Sequence, residues 1–327
     1  MTSSAAPARR AIELCPSCGS RAATPWLRAN DFDLVHCATC SHRYATEVLA
    51  ADWLAGAYYG ETDQDLSDRG DHSKRARFLE YEALIRAHSI WPGRVLDVGC
   101  NAGELLRLFR EKGWQIAGVE TSDRAAHHAR QVLGAQIWCG PAETCPPDGE
   151  CFDLITMTHV LEHIVAPRPL LQRLRSLLRP AGWLLVEVPN ANDWLLRCWR
   201  GTYRPLCPGD HVSFFDEGSL RGLLEAAGFE VLAVRSPTHA RDIAYPSLLS
   251  ALDWARRVLR PTRPANTVAG GVASQVRYRG RFRAPLRAAF DRVLDTCDPA
   301  IVALTGAQDR RRSGPVLVML ARARVGQ

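Results

Sequence analysis

The chain has 327 residues, 46% of them hydrophobic and 23% charged, with a formal net charge of +6. That length suits one large domain with an appendage, and that balance is ordinary for a soluble globular protein. No apolar run reaches the roughly 20 residues that span a bilayer, and the opening stretch lacks a signal peptide's apolar segment, so a cytoplasmic protein is expected.

Residues 1–10 read as a disordered leader. Cys15-Pro-Ser-Cys18 and Cys37-Ala-Thr-Cys40 then form two C-x-x-C knuckles eighteen residues apart. Each pair places two thiolates on one side of a tight turn, and two pairs complete a tetrahedron. With eleven cysteines in an unexported chain, metal ligation is expected rather than disulfides. The spacing predicts a zinc ribbon over residues 11–47, with Asp31 to His36 a strand into the second knuckle. Four cysteines close such a site, so the zinc is structural, and His36 and His42 read as bystanders. Residues from about Val48 to Ile90 are expected to be helices. Among them, Phe78 to His88 is an amphipathic run behind the basic Lys74, Arg75 and Arg77.

Val95-Leu96-Asp97-Val98 has the pattern of a buried parallel strand. Gly99 to Gly103 is a tight turn, and Glu104-Leu105-Leu106-Arg107-Leu108-Phe109 switches to helical periodicity behind an acidic start. Strand, glycine turn and helix make the nucleoside-binding corner of a doubly wound sheet. The spacing is D-x-G-x-x-x-G rather than G-x-G-x-x-G. Asp97 would repel a pyrophosphate; it suits a ligand carrying an ammonium group and hydroxyls. Glu120, ending the run from Gln115, stands where an acid can take both ribose hydroxyls. A helix (Thr121 to Leu133) and a strand (Ala135 to Cys139) follow. Phe152 to Met157 reads as the next strand, Pro167 to Leu178 as a helix and Gly182 to Val188 as the fifth strand. Glu217 to Ala227 is a helix, and a sixth strand opens at Gly228.

These motifs, with Val160-Leu161-Glu162-His163-Ile164 and Leu178-Arg179-Pro180-Ala181-Gly182 through Pro189-Asn190, resemble the class I S-adenosylmethionine-dependent methyltransferases. The resemblance runs from roughly Tyr58 to Phe229 plus the last strand. It implies a Rossmann-like α/β fold with a seven-stranded sheet whose last strand is antiparallel. That strand is expected only at Pro315 to Ala321, so residues 238–314 form an insert. The core is then 48–237, and 315–327 are its final strand and tail. The resemblance also implies S-adenosylmethionine contacts from Tyr58, Asp97, Gly99, Cys100, Asn101, Gly103, Glu120, Thr121, Ala142, Glu143 and Thr158. Pro141 replaces the aspartate that relatives commonly carry at the adenine edge, and proline offers neither carboxylate nor N–H. Residues 190–215, aromatic and basic, read as a substrate cap, with Asp210-His211 resembling a segment that points a histidine into the site.

The expected reaction moves a methyl group to a hydroxyl of a sugar, a glycan end or a natural product. His159, His163 and His211 are the candidate general bases. Three alternatives stand beside it. The first is a divalent-metal-assisted variant, since some ubiquinone-pathway and small-RNA methyltransferases carry E-x-x-E-H and a later histidine, and here His159 replaces the first glutamate. The second is C- or N-methylation. The third is a basic RNA- or membrane-binding adaptor on the same fold, which the intact Asp97, Gly99, Gly103 and Glu120 argue against. The insert carries fourteen arginines against six aspartates between Ala240 and Gly314. Helices are expected over Pro246 to Arg260 and Ala284 to Leu304. A peripheral contact of the first with an anionic lipid or polymer is the functional expectation. Nucleic acid is not an expected partner.

Overall fold

The structure, a computed structural model, describes residues 8–29, 31–50, 72–144, 146, 149–199, 203, 206, 208–244, 247–248, 251 and 284–325. The expectations for the leader through Pro7, for Tyr58, and for most of the first insert helix and the linker after it lie outside these residues.

Seven strands form the main sheet, in the order β12-β13-β10-β9-β6-β7-β8. They are β6 (Arg94–Val98), β7 (Gln115–Glu120), β8 (Gln136–Cys139), β9 (Phe152–Thr158), β10 (Leu178–Pro189), β12 (Phe229–Arg235) and β13 (Val316–Ala323). The run β10-β9-β6-β7-β8 is parallel, whereas β13 lies antiparallel between β10 and β12. This is the Rossmann-like fold expected. Val95, Leu96 and Val98 are buried, as helices covering both faces of a parallel sheet require. Leu105, Leu106, Leu108 and Phe109 of α2 (Glu104–Glu111) supply one such cover. In α3 (Asp123–Leu133), the Ser122 side chain accepts from Ala125 N, and Gly134 ends the helix in the left-handed conformation.

The parallel order reverses beside β6, so the β6, β7 and β9 carboxyl ends open onto one crevice. On it lie the turn after Val98 and Leu161 to His163, a single 3-10 turn after β9. α1 (His72–Ala87), α4 (Pro167–Ser176), α6 (Glu217–Ala226), α7 (Ala284–Leu304) and α8 (Gly306–Arg310) complete the helices near the sheet. α7, the second expected insert helix, packs against α1. Among the described residues, no helix is long and apolar enough to cross a membrane.

A second, antiparallel sheet has the order β11-β4-β3-β2. Three of its strands, β2 (Ala23–Ala29), β3 (Phe32–Cys37) and β4 (Arg43–Ala45), come from the cysteine segment. The fourth, β11 (Ser213–Phe214), comes from the far side of the main domain. Val48 was expected in a helix; it lies instead in β5 (Glu47–Leu49), paired with β1 (Arg9–Ala11). The segment expected as a cap packs on this module as well. Leu195 and Leu196 of α5 (Trp194–Trp199), with Tyr203, Leu206 and Phe214, bury against Phe32 and Leu34 of the cysteine module. Their apolar area leaves water against the module, while Asp210 of the same segment lines the cavity at the crevice.

Candidate active site

The four cysteines converge. Cys15 and Cys40 sulfurs are 3.6 Å apart, as are those of Cys18 and Cys37, and all four lie within 4.8 Å of one another. Sulfurs at tetrahedral vertices around zinc, each about 2.3 Å from it, sit about 3.8 Å apart. The geometry therefore fits the ion and excludes disulfides, whose sulfurs are about 2.05 Å apart. Burial alone would raise the Cys37 thiol, but the backbone N–H groups of Cys40 and Thr39 bring it down to about 7. A Cys37→Ser/Cys40→Ser variant is expected to lose the one equivalent of zinc that metal analysis of the wild type should show. Full retention would place the zinc elsewhere.

A cavity of about 860 Å³ opens at the crevice. One half is walled by Asp97, Gly99, Cys100, Asn101, Glu120, Thr121, Ala142, Glu143 and Thr158, all expected from the sequence. Gly99 has φ of +77°, and a Cβ there would meet Val160 at 2.4 Å, so this turn admits only glycine. Glu120 is fixed by backbone: Asn101 N donates to its Oε2 and Ser122 N to its Oε1, both at 2.8 Å. Thr121 Oγ1 also donates to Oε1, at 3.3 Å. A carboxylate has about four lone-pair directions, so one remains for a ligand hydroxyl and a second opens if the Thr121 hydroxyl turns away. Thr156 Oγ1 donates to Asp97 at 2.7 Å, and burial raises this carboxyl to about 7. Gly103 is the exception. It lies off the cavity wall, and a Cβ there would strike Leu133 of α3 at 2.4 Å. Its φ of +82° starts α2; it is a packing glycine.

The three histidines sit together in different electrostatic states. His159 occupies the left-handed region, with φ of +54°, a strained conformation that surrounding contacts must hold. Its Nδ1 donates to Glu162 Oε1 at 3.2 Å and its Nε2 to Glu187 Oε1 at 2.9 Å. Burial would lower it, but the bonds to Glu162 and Glu187 raise it to about 10. With both nitrogens engaged, His159 clamps two carboxylates rather than offering a lone pair. His163 Nδ1 donates to Asp210 Oδ1 at 2.9 Å. Burial opposes that charge, yet Asp210 raises His163 to about 9. His211 stands edge-on to His163, with ring centroids 4.7 Å apart. Burial first, then the charge on His163, lower it to about 4.

Two buried polar atoms in this cluster have no hydrogen-bond partner: Glu162 Oε2 and His211 Nδ1. Ligand-capable atoms of Glu162, His163 and His211 all lie within 4.8 Å of one another. A buried carboxylate oxygen and ring nitrogen left unpaired together are costly, at roughly 1–3 kcal/mol each. A divalent cation would satisfy both. Asp210 fixes the Nδ1–H of His163 and His159 fixes Glu162, the outer support that metal ligands ordinarily have.

The sequence reading missed a second charged layer on the cavity. Glu187, fully buried in β10, accepts from Arg77 at 3.4 Å, from His159 and from the Tyr81 hydroxyl. Arg77 also pairs with Asp242, so it is neutralised within the protein rather than held for a ligand carboxylate. From the insert, His239, Arg241, Asp242, Asp298 and Pro299 line the cavity as well. A lone acid within the apolar run Leu184 to Val188 was the one available signal for Glu187.

A family model described as "Methyltransferase domain" matches residues 72–234. A ubiquinone biosynthesis O-methyltransferase of Coxiella burnetii strain RSA 331 is 30% identical over 195 residues, covering 56% of this chain and 79% of the relative. The chain belongs to the S-adenosylmethionine-dependent methyltransferases. A Burkholderia thailandensis protein of the same description is 25% identical over 168 residues, covering 47% of this methyltransferase and 72% of the relative. Among solved structures, a putative sarcosine dimethylglycine methyltransferase from Galdieria sulphuraria superposes with a TM-score of 0.49. It is 13% identical and covers 83% of this methyltransferase and 97% of that chain.

Proposed function

We propose that this methyltransferase O-methylates a hydroxyl on a small-molecule acceptor, with a divalent cation held by Glu162, His163 and His211. The observation that carries this is the pair of orphaned buried atoms, Glu162 Oε2 and His211 Nδ1, in one cluster. One carboxylate and two imidazoles suit a borderline cation such as iron(II) or zinc, and accept the harder manganese with the acceptor oxygen and water completing its shell. Bound there, such an ion would polarise an acceptor hydroxyl and lower its pKa. The relatives' description as O-methyltransferases supports the hydroxyl. Two of the histidines argue against an unassisted base: His159 is held as a cation by two carboxylates, and His211, held near 4, is a weak proton acceptor at neutral pH. His163, raised to about 9 by Asp210, would give up its Nε2 proton to the incoming ion, as metal binding requires of a ligand imidazole. A sugar, a glycan end or another hydroxylated natural product fits this chemistry. Zinc in the cysteine module has a structural role in the same reading.

Methyl transfer from a sulfonium asks the protein for alignment more than for covalent catalysis. In this reading Glu120 takes the ribose hydroxyls, the Gly99 turn lets the nucleoside approach backbone, and Asp97 faces the ammonium group. As the acceptor oxygen bonds to the methyl carbon, the carbon–sulfur pair returns to sulfur, and the hydroxyl proton, made more acidic beside the ion, passes to solvent water. Incubation with isotopically labelled cofactor and a panel of sugars and phenols tests the reading. O-methyl products are expected; exclusively N- or C-methyl products would refute it.

Asp97 gives the cofactor step a pH dependence. Its pKa in the free protein is about 7, so below neutrality it is mostly protonated. A neighbouring ammonium favours the carboxylate, and binding must then expel the proton. Affinity is expected to fall as pH drops from 7 to 5.5, by at most roughly tenfold per pH unit. Calorimetry should show proton release on binding in that window; a flat affinity would remove Asp97 from the ammonium site.

A further inference from the structure

Residues Gly209 to Phe214 belong to two structures at once. On one edge, β11 adds to β4 of the cysteine module, with Ser213 opposite Tyr44 and Phe214 opposite Arg43. Ala45 N donates to Val212 O at 2.9 Å, and Leu49 N to Gly209 O at 3.0 Å. On the other edge, Val212 N donates to Glu162 O at 2.8 Å. The same six residues carry Asp210, which orients His163, and His211 itself.

Side chains fasten this joint. His42, two residues beyond Cys40, is fully buried, and its Nε2 meets Ser213 Oγ at 3.1 Å. Its ring packs against Phe215 at 4.8 Å and parallel to Tyr44. Arg43 pairs at 3.0 Å with Asp216, the residue whose carboxylate caps α6. Gly209, with φ of +104°, brings its backbone so close to Phe32 that a Cβ would sit 2.8 Å from the ring. His42 is thus a joint residue between the module and the active site, not a bystander.

We infer that the metal-loaded cysteine module is a positioning element for the active site: by strand addition through β4 it fixes Asp210 and His211 against Glu162 and His163. This rests on the proposed role of His211. The physical chain is short. Cys37 ends β3 and Cys40 lies three residues before β4, so a metal at the cysteines fixes both strand ends. Small metal-bound modules owe most of their folding free energy to the ion. Losing it releases β4, and the segment carrying Asp210 and His211 loses one of its two pairing edges. The nucleoside half of the cavity is built on β6 and β7, whose sheet pairing does not run through this joint, and keeps its shape.

The test uses full-length protein with labelled histidine, wild type against Cys37→Ser/Cys40→Ser, and three readouts. These are cofactor affinity by calorimetry, manganese affinity by electron paramagnetic resonance, and the His211 ring resonances by NMR. In the variant, manganese affinity is expected to fall 10–100-fold, the range for lost outer support of a metal site. The His211 resonances should move, while cofactor affinity stays within about twofold. Unchanged manganese affinity and unchanged His211 resonances in zinc-free variant would overturn the inference. If the wild type binds no manganese, the cation reading fails, and the His211 resonances alone then decide the coupling. If the double variant does not fold, zinc-loaded Ser213→Ala carries the same test through the His42 contact: displaced His211 resonances support the inference, and unmoved ones refute it.

Discussion

Glu162→Gln is expected to lower methyl transfer by roughly 10²–10⁴-fold while leaving cofactor affinity within about twofold. The amide keeps the size of the side chain and removes its charge. His159, which donates to Glu162 at 3.2 Å, would lose one of its two carboxylates, and the candidate cation site would lose its only anionic ligand among Glu162, His163 and His211. Metal stabilisation of developing charge is worth several kcal/mol, and each 1.36 kcal/mol is about tenfold in rate. His211→Ala removes a neutral ligand from the same cluster and should be similarly damaging. Single-turnover rates with saturating cofactor measure both. A Glu162→Gln enzyme within threefold of wild type would show that the cluster does not serve the reaction.

Arg77→Met is expected to cost about 3–5 kcal/mol of stability. Arg77 neutralises Glu187, which is fully buried, and Asp242, which is partly buried. Removing one member of a buried pair leaves an uncompensated charge, with a cost in that range. The buried environment would raise Glu187, but Arg77 first, then His159, hold it down to about 2. Only His159 and the Tyr81 hydroxyl would then remain to hold it. Urea unfolding of both proteins measures the difference; a loss under 1 kcal/mol would mean that solvent already screens the pair. The double variant Arg77→Met/Glu187→Gln should recover part of it, because the unpaired charge is then absent.

How much of this was legible beforehand depends on range along the chain. β6, β7, β9 and β10 could be read because each is a local apolar run bounded by glycine or charge. The Asp97–Gly99 turn and Glu120 could be read because their spacing follows from one strand–turn–helix unit. The cysteine tetrad was legible because paired knuckles need only two short turns. Gly103 looked like a ligand glycine because its spacing cannot reveal the direction of its Cβ, which faces Leu133. β11 could not be found at all: two residues form a strand only because β4, some 170 positions earlier, offers an edge. His42 was hidden for the same reason, its partner Ser213 lying 171 positions away. Glu187 and Arg77, 110 positions apart, looked like an oddity and a solvated cation until the fold brought them together. The histidines were legible as a group but not in their roles, because those depend on which carboxylates face each ring.

Chelation with simultaneous metal analysis tests the central claim most directly. The protein is treated with a chelator that strips exposed cations while zinc at the cysteine module is followed by metal analysis, and methyl transfer is then assayed with and without added manganese. The account predicts that turnover collapses while one zinc per chain remains, and that manganese restores it in the wild type but not in Glu162→Gln. Full turnover after chelation would contradict it and return the reaction to an unassisted base.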